Sequence, residues 1–293
     1  MKLPTKLFTM LCLLTSSFIL AQSPVTGFMK KNNKGAAVIS YSWEKYDKVF
    51  FVPQEVDGIP VFNEVTNTSI SVYGEYGITD DLNVVFNVPY IKSEGDASEA
   101  TLDNLGFENT RKGIQDLSLY VKYNFHTFNI GENQLSFIGS VGLETPLSDY
   151  KADEGLQSII AIGNHASSFN AIGLANFKTK SGFFTTGQIG YSFKDSGVPD
   201  ALLSQLKVGY AASKFYVDAY VANQLSDKDG VDILGNGFTG YFPATRVNYT
   251  RVGASVYAPL FEGIGVTAGA NSYVAGRNLG KSTGFYGGLV YSF

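Results

Sequence analysis

Eight charged side chains recur on one side of alternating segments: Glu44, Glu75, Asp116, Lys122, Glu144, Lys207, Asp218 and Arg251, with Tyr220 and Tyr249 among them. Facing an enclosed interior, such a set can pair across the space and fill it, or line a polar path that selects solutes. Both signs are present, which argues against a path reserved for anions. Asp116 and Lys122 share a face but stand six residues apart, ~20 Å along a strand, so they cannot pair with each other. Covalent or acid–base chemistry has little to work with. The two histidines are His126 and His165, and although Ser167 and Ser168 lie beside the second, no nucleophile motif surrounds it. The run Asp227-Lys228-Asp229-Gly230-Val231-Asp232 begins like a calcium loop but lacks the glutamate that would complete it, and reads as an acidic turn. No enzymatic activity, metal or cofactor is expected.

The segments that carry these charges alternate with period two. In the clearest, over 113–125, Leu117, Leu119, Val121, Tyr123 and Phe125 face one way and Asp116, Ser118, Tyr120, Lys122 and Asn124 the other. The last stretch, 285–293, sets Phe285, Gly287, Leu289, Tyr291 and Phe293 against Tyr286, Gly288, Val290 and Ser292, and it stops on an aromatic. Reading the whole chain this way gives about twelve strands, near 36–46, 66–78, 82–92, 113–125, 134–144, 165–177, 183–193, 203–212, 215–224, 247–257, 264–274 and 285–293. In the sixth, the two faces look alike. The connections alternate short and long, with short ones at Asp80, Gly131, Ser181, Lys214 and Glu262. Strands of ~11 residues tilted ~40° span roughly 28 Å, about the height of an apolar membrane band.

These features predict an all-β fold: a transmembrane antiparallel up-and-down β-barrel with short periplasmic turns, long extracellular loops and both termini in the periplasm. Aromatics at the short-turn ends would form a girdle: Tyr76, Phe125, Phe128, Phe177, Phe183, Tyr210, Phe215, Tyr257, Phe261 and Phe293. Leu289, Tyr291 and Phe293 would present the closing strand to the barrel-assembly machinery. The other expected partners are outer-membrane lipids and a small-molecule solute. A twelve-stranded barrel is roughly 24 Å across its backbone, leaving about 10 Å or less once side chains point inward. The first long loop is apolar for an external segment. It carries Phe50, Phe51 and Phe62, and reads either as an extension of its flanking strands or as a gate for a hydrophobic solute.

The N-terminus supplies the address. Lys2 and Lys6 precede an apolar run over 7–20, and Ala21-Gln22 is a plausible cut, so 1–21 reads as a cleaved leader for export to a Gram-negative outer membrane. Cys12 leaves with it, and the mature chain has no thiol. The formal charge of −4 becomes about −6 without Lys2 and Lys6, which is no footprint for nucleic acid. Residues 22–35 form an N-terminal periplasmic segment that either hangs free or enters the lumen, and 36–293 form the barrel. The uncharged stretch 155–177 is long enough for a membrane helix, but its Gln157, Asn164, His165 and Asn170 would be costly in lipid.

Three stretches resemble a known family. Tyr76 to Leu82, ending at Val88-Pro89-Tyr90, is similar to the second hairpin of the outer-membrane proteins named for the meta-pathway of phenol degradation. Gly113-Ile114-Gln115-Asp116-Leu117 followed by Lys122-Tyr123 resembles that family's G-x-x-D-L … K-Y strand. Pro146 to Asp149 resembles its P-T-G-D strand end, with Leu147-Ser148 where the family has Thr-Gly. The resemblance covers 76–150 and implies transport of hydrophobic or aromatic compounds across the outer membrane.

Single cysteines introduced into the thiol-free mature chain test the alternation. A Leu119→Cys variant should react with a membrane-soluble maleimide and Ser118→Cys should not. Equal labelling at both positions would remove the two-faced strand.

Overall fold

The computed structural model describes residues 24–52 and 55–293; the expected leader lies outside the described residues. Twelve antiparallel strands form the wall: β1 (Gly35–Tyr46), β2 (Glu64–Gly77), β3 (Leu82–Asp96), β4 (Asp116–Ile130), β5 (Asn133–Pro146), β6 (Ser168–Lys178), β7 (Phe183–Lys194), β8 (Ala201–Ala211), β9 (Tyr216–Ser226), β10 (Asn248–Phe261), β11 (Ile264–Arg277) and β12 (Thr283–Ser292). Each pairs with its sequence neighbours, and β1 pairs with β12 from Ala36↔Ser292 to Lys45↔Thr283. The sheet is therefore a closed ring without an edge, the arrangement that satisfies every strand's backbone groups internally. Gly35 and Phe293 complete the seam by exchanging two backbone hydrogen bonds of 3.0 Å.

Exposure follows the alternation. Ile39, Ile70, Leu119, Ile189, Leu206, Val256 and Leu289 point outward, while Ser40, Ser71, Asn170, Thr186, Ser255 and Asn271 are buried within the ring. β6, whose faces are indistinct in sequence, turns out to mix apolar and polar residues on its inner side, with Ile172 and Leu174 among Ser168, Asn170 and Asn176. Phe169 faces out, but Ile172 and Leu174 face in and join an interior apolar cluster. An interior that is not uniformly polar hides the period-two signal there.

Several strands run past their expected ends at the long-loop side. β3 reaches Asp96, and a short strand over Thr110–Ile114 pairs with it before β4 begins. The change of partner falls at Pro89, which has no N–H to donate and whose carbonyl accepts from the Gln115 amide. At the short-turn side β4 continues to Ile130, with a register shift between Asn124 and His126, so His126 lies within the strand. The stretch 155–177 contains a short 3-10 helix (Gly155–Ile160) and β6, and no described helix is long and apolar enough to cross a membrane.

Most of the aromatic girdle stands where expected: Tyr76, Phe125, Phe128, Phe183, Phe215, Phe261 and Phe293 are exposed on the outer surface. Tyr257 is the exception. It is buried in the ring, 3% exposed, and its phenol lies over Gly265, where a side chain would collide with it. Phe293 stacks on Tyr76 (centroids 6.3 Å, interplanar 23°) and on Tyr291 (5.8 Å, 29°), bridging the seam to β2.

Because Phe293 ties three strands at the closure point, Phe293→Ala should reduce the fraction of refolded, heat-modifiable barrel on unboiled gels several-fold. An unchanged fraction would show that the backbone seam closes without it.

Candidate solute path: the lumen and its two closures

Ion pairs occupy the lumen at three heights. Nearest the short turns, Lys122 on β4 reaches Glu75 on β2 at 2.7 Å, both side chains fully buried, and Asn83 on β3 donates to the same carboxylate oxygen at 3.0 Å. Higher up, Lys207 on β8 lies 3.6 Å from Asp218 on β9, which also accepts from Ser255 at 2.7 Å. In the long-loop half, Arg251 on β10 crosses to Glu44 on β1 at 2.8 Å and bonds Asn271, while Ser282 donates to the other Glu44 oxygen. Glu144 accepts from Tyr120 at 2.8 Å, and Asp116 from Tyr150 at 2.6 Å. Breaking one such pair would leave a bare charge in the interior and cost about 3–5 kcal/mol. Tyr220 is buried beside Lys207 (Nζ to ring centroid 5.9 Å), and Tyr249 packs edge-on to Tyr273 above Arg251. Of these eight charges, six pair as three ion pairs, and Glu144 and Asp116 are bonded by tyrosine hydroxyls.

The lumen is filled by the chain's own N-terminal segment. Residues 24–30 lie inside the ring, with Val25, Thr26 and Lys30 buried. The segment crosses from the β2–β4 wall to the β6–β9 wall. Tyr73 donates to the Pro24 carbonyl at 3.4 Å and Lys122 to the Phe28 carbonyl at 2.7 Å. On the far side Gly27 sits so close to Thr186 and Asn176 that a Cβ would fall within 3 Å of both. The Phe28 ring meets Phe184 edge-on at 4.9 Å and Tyr216 at 6.4 Å, and those two stack on each other at 5.4 Å. Val25, Phe28 and Met29 complete the apolar cluster that includes Tyr73, Val85, Tyr120, Ile138, Ile172, Leu174 and Tyr257. No alternating pattern marks this segment, because it is not a strand; its apolar residues were the signal available in the sequence.

A clasp holds the segment's root at the short-turn end. Asn33 donates to the Gly77 carbonyl and Gly77 to that of Lys34, both at 2.9 Å, and Tyr76 donates to the Asn33 side chain. Asp80, in the turn between β2 and β3, accepts from the Asn32 amide at 2.9 Å and lies 3.5 Å from the Lys31 ammonium. The amide hydrogen bond, with Lys31 assisting, holds the Asp80 carboxyl below the usual carboxylate range.

A second closure lies at the long-loop end. Short strands Lys48–Phe50, Glu55–Asp57 and Leu279–Gly280 form a small separate sheet rather than extending β1 and β2. Phe50, Phe51 and Phe62 are all buried. Phe51 and Phe62 belong to a second apolar cluster with Val49, Ile59, Val65 and Ile160, while Phe50 packs over Gly276. Asp232, from the acidic turn, is held by Arg277 (2.7 Å) and Asn278 (2.9 Å), and Arg277 keeps its carboxyl low. Arg111 binds Glu154 at 2.7 Å, so the β3–β4 and β5–β6 connections, neighbours on the rim, are tied together. Outside the lumen, a concave region of about 970 Å³ runs along the outer wall of β4–β7, where Gly139, Gly173 and Gly187 lie among Phe125, Phe137 and Ile189.

Of the motif residues, Asp116, Lys122 and Tyr123 fall on β4 and Pro146 ends β5, with Asp116↔Pro146 in register. Gly113 packs beneath Ile162 and Ser148 of the loop after β5. Leu117 pairs with Thr145, and Asp149 lies 3.7 Å from His165.

Neither a protein-family model nor a curated protein sequence matches the chain. Solved structures do. The COG4313 outer membrane channel from Pseudomonas putida F1 superposes with a TM-score of 0.69 at 13% identity, covering 90% of this chain and 97% of that one. The KdgM porin follows at a TM-score of 0.49 and 7% identity, covering 87% and 99%. The translocator domain of the autotransporter NalP from Neisseria meningitidis gives 0.47 at 11% identity, covering 90% and 89%. At these identities the likeness establishes the fold: a closed twelve-stranded barrel of the kind built by outer-membrane channels.

Proposed function

We propose that the chain is an outer-membrane channel for small hydrophobic or aromatic solutes, held closed by its N-terminal segment and by its apolar loop cap. One observation carries the reading: where the segment crosses the lumen, its Val25 and Phe28 side chains meet an apolar, aromatic patch of the inner wall that includes Phe184, Tyr216, Ile172 and Leu174. An apolar or aromatic ring gains burial and ring contact against these side chains, whereas a small ion gains nothing from them. The resemblance of 76–150 to the meta-pathway family supports the same solute class. In this reading the short turns and both termini lie in the periplasm, the closing strand with Leu289, Tyr291 and Phe293 is read by the assembly machinery, and the outward apolar face meets lipid. Phe50, Phe51 and Phe62 belong to the external gate. The paired charges of the wall hold the lumen's shape and frame the passage.

The filled lumen also favours a second reading, a closed barrel that serves as a structural or surface-interaction module. Planar-bilayer recordings separate the two. The intact chain should give rare, small openings. Replacing 24–29 by alternating glycine and serine should raise open probability at least tenfold, and permanent silence in both proteins would favour the closed barrel. Deleting 49–62 should increase flux of a small aromatic compound into liposomes; unchanged flux would remove those phenylalanines from the gate.

The Asp80 clasp predicts a pH response. Its folded-state pKa is depressed, so its support of the segment's root is present above the ordinary carboxylate range and is lost as pH falls through the depressed value. Asp80→Asn should therefore open at neutral pH as often as the native chain does only in acid, and a native chain with no acid-induced opening would exclude the clasp as a control.

A further inference from the structure

Phe28 holds its place in the lumen by two kinds of contact at once. Its ring lies edge-on to the stacked pair Phe184 and Tyr216, and its carbonyl accepts a 2.7 Å hydrogen bond from Lys122. Tyr216 and Phe184 are 1% and 2% exposed, and Gly209 lets the Phe184 ring lie flat against the wall, since a Cβ there would fall 2.6 Å from it. Lys122 is oriented by Glu75, whose carboxylate accepts a second hydrogen bond from the ammonium at 2.7 Å. Ring slot and donor both belong to the wall and remain when the segment withdraws. Lys30, buried near Glu75 and Lys122, leaves with the segment, so the wall left behind carries a neutral pair rather than an excess cation.

We infer that this is a solute-binding site that the N-terminal segment occupies as a built-in ligand, with Phe28 standing in for a one-ring aromatic compound bearing a carbonyl oxygen. The inference rests on the proposed transport of aromatic solutes and narrows it. In Phe28 the carbonyl carbon is separated from the ring by two carbons, so the best-matched solutes are arylalkyl ketones, amides or esters with that spacer. The apolar slot takes the ring, where aromatic edge-to-face contact adds to burial. The Lys122 ammonium supplies the donor that selects a carbonyl compound over a hydrocarbon of the same shape. A neutral carbonyl suits the site better than a carboxylate, because Glu75 already balances Lys122. Solute and segment compete for one place, which makes the closure sensitive to solute: a molecule entering the slot displaces Phe28 and holds the segment out.

The test uses 4-phenyl-2-butanone, which carries ring, spacer and carbonyl, and butylbenzene, which has the same length without the oxygen. Binding is measured on the full-length barrel in nanodiscs by tyrosine fluorescence, in the native chain and in the glycine–serine variant of 24–29. The ketone should bind the variant at least tenfold more tightly than the native chain. Lys122→Met combined with Glu75→Gln, so that no carboxylate is left unpaired, should weaken the ketone at least tenfold, as expected for a hydrogen bond from a charged donor. Butylbenzene should change by less than threefold. Phe184→Leu, which leaves the ion pair intact, should weaken both probes. The inference is overturned if the two probes respond alike to the Lys122 change, if native chain and variant bind the ketone equally, or if neither probe binds a variant that folds. Liposome flux of the same probes keeps the two levels apart. Flux without preference for the ketone sinks the site alone, and ketone binding without flux sinks the transport reading alone.

Discussion

Closure of the ring between β1 and β12 is the constraint from which the remaining features follow. Once Gly35 and Phe293 exchange hydrogen bonds and the ladder above them is complete, no strand presents unpaired backbone groups, and the wall can stand in hydrocarbon. The same closure divides every strand into an outward and an inward set. Outward residues lose nothing by being apolar. Inward residues are confined to a space too narrow to behave as bulk water, so each polar group there needs a partner. That need explains why Lys122 meets Glu75 and why Arg251 reaches across two intervening strands to Glu44.

Twelve strands also enclose more volume than wall side chains alone can fill. The chain answers by laying its own N-terminal residues across the middle. This is why the interior combines two chemistries that seldom share a strand face. Against the segment's apolar side chains the wall is apolar and aromatic, and around that patch it is polar and paired. A burial of this kind is cheap to reverse compared with a folded core. The segment contributes no strand to the ring, and its anchorage is a few hydrogen bonds, one deep lysine contact and a turn clasp at Asp80. The long-loop cap is built differently, from a small sheet, one apolar cluster of loop side chains and ion pairs between neighbouring elements such as Arg277 with Asp232.

Legibility in the sequence tracks how uniform each face is. β4 was readable residue by residue because Leu117, Leu119 and Val121 face lipid-like surroundings and Ser118, Tyr120 and Lys122 face the interior without exception. β6 was not, because Ile172 and Leu174 pack on the segment and imitate an outward face. Tyr257 was misassigned to the girdle for a related reason. An aromatic near a short turn can anchor at a boundary or fill the lumen, and only its parity relative to Gly265 and the seam decides which. The strand ends at the long-loop side are hidden in sequence because the outward face, apolar lower down, becomes polar there at Lys92, Glu94 and Asp96, while Ser93 is polar on the inward face.

By itself, the sequence determined the strand number, the alternation of short and long connections and which side of most strands looks inward, since these are local consequences of period two and turn chemistry. It also marked the charges that would face the lumen. Which charge meets which was decided only by the tertiary structure, because Glu44 and Arg251 lie 207 residues apart and are brought together by ring closure alone. The course of residues 24–30 was likewise a tertiary decision. An irregular segment has no period to read, and its place depends on whether the finished ring leaves an apolar space that its Val25, Phe28 and Met29 can fill.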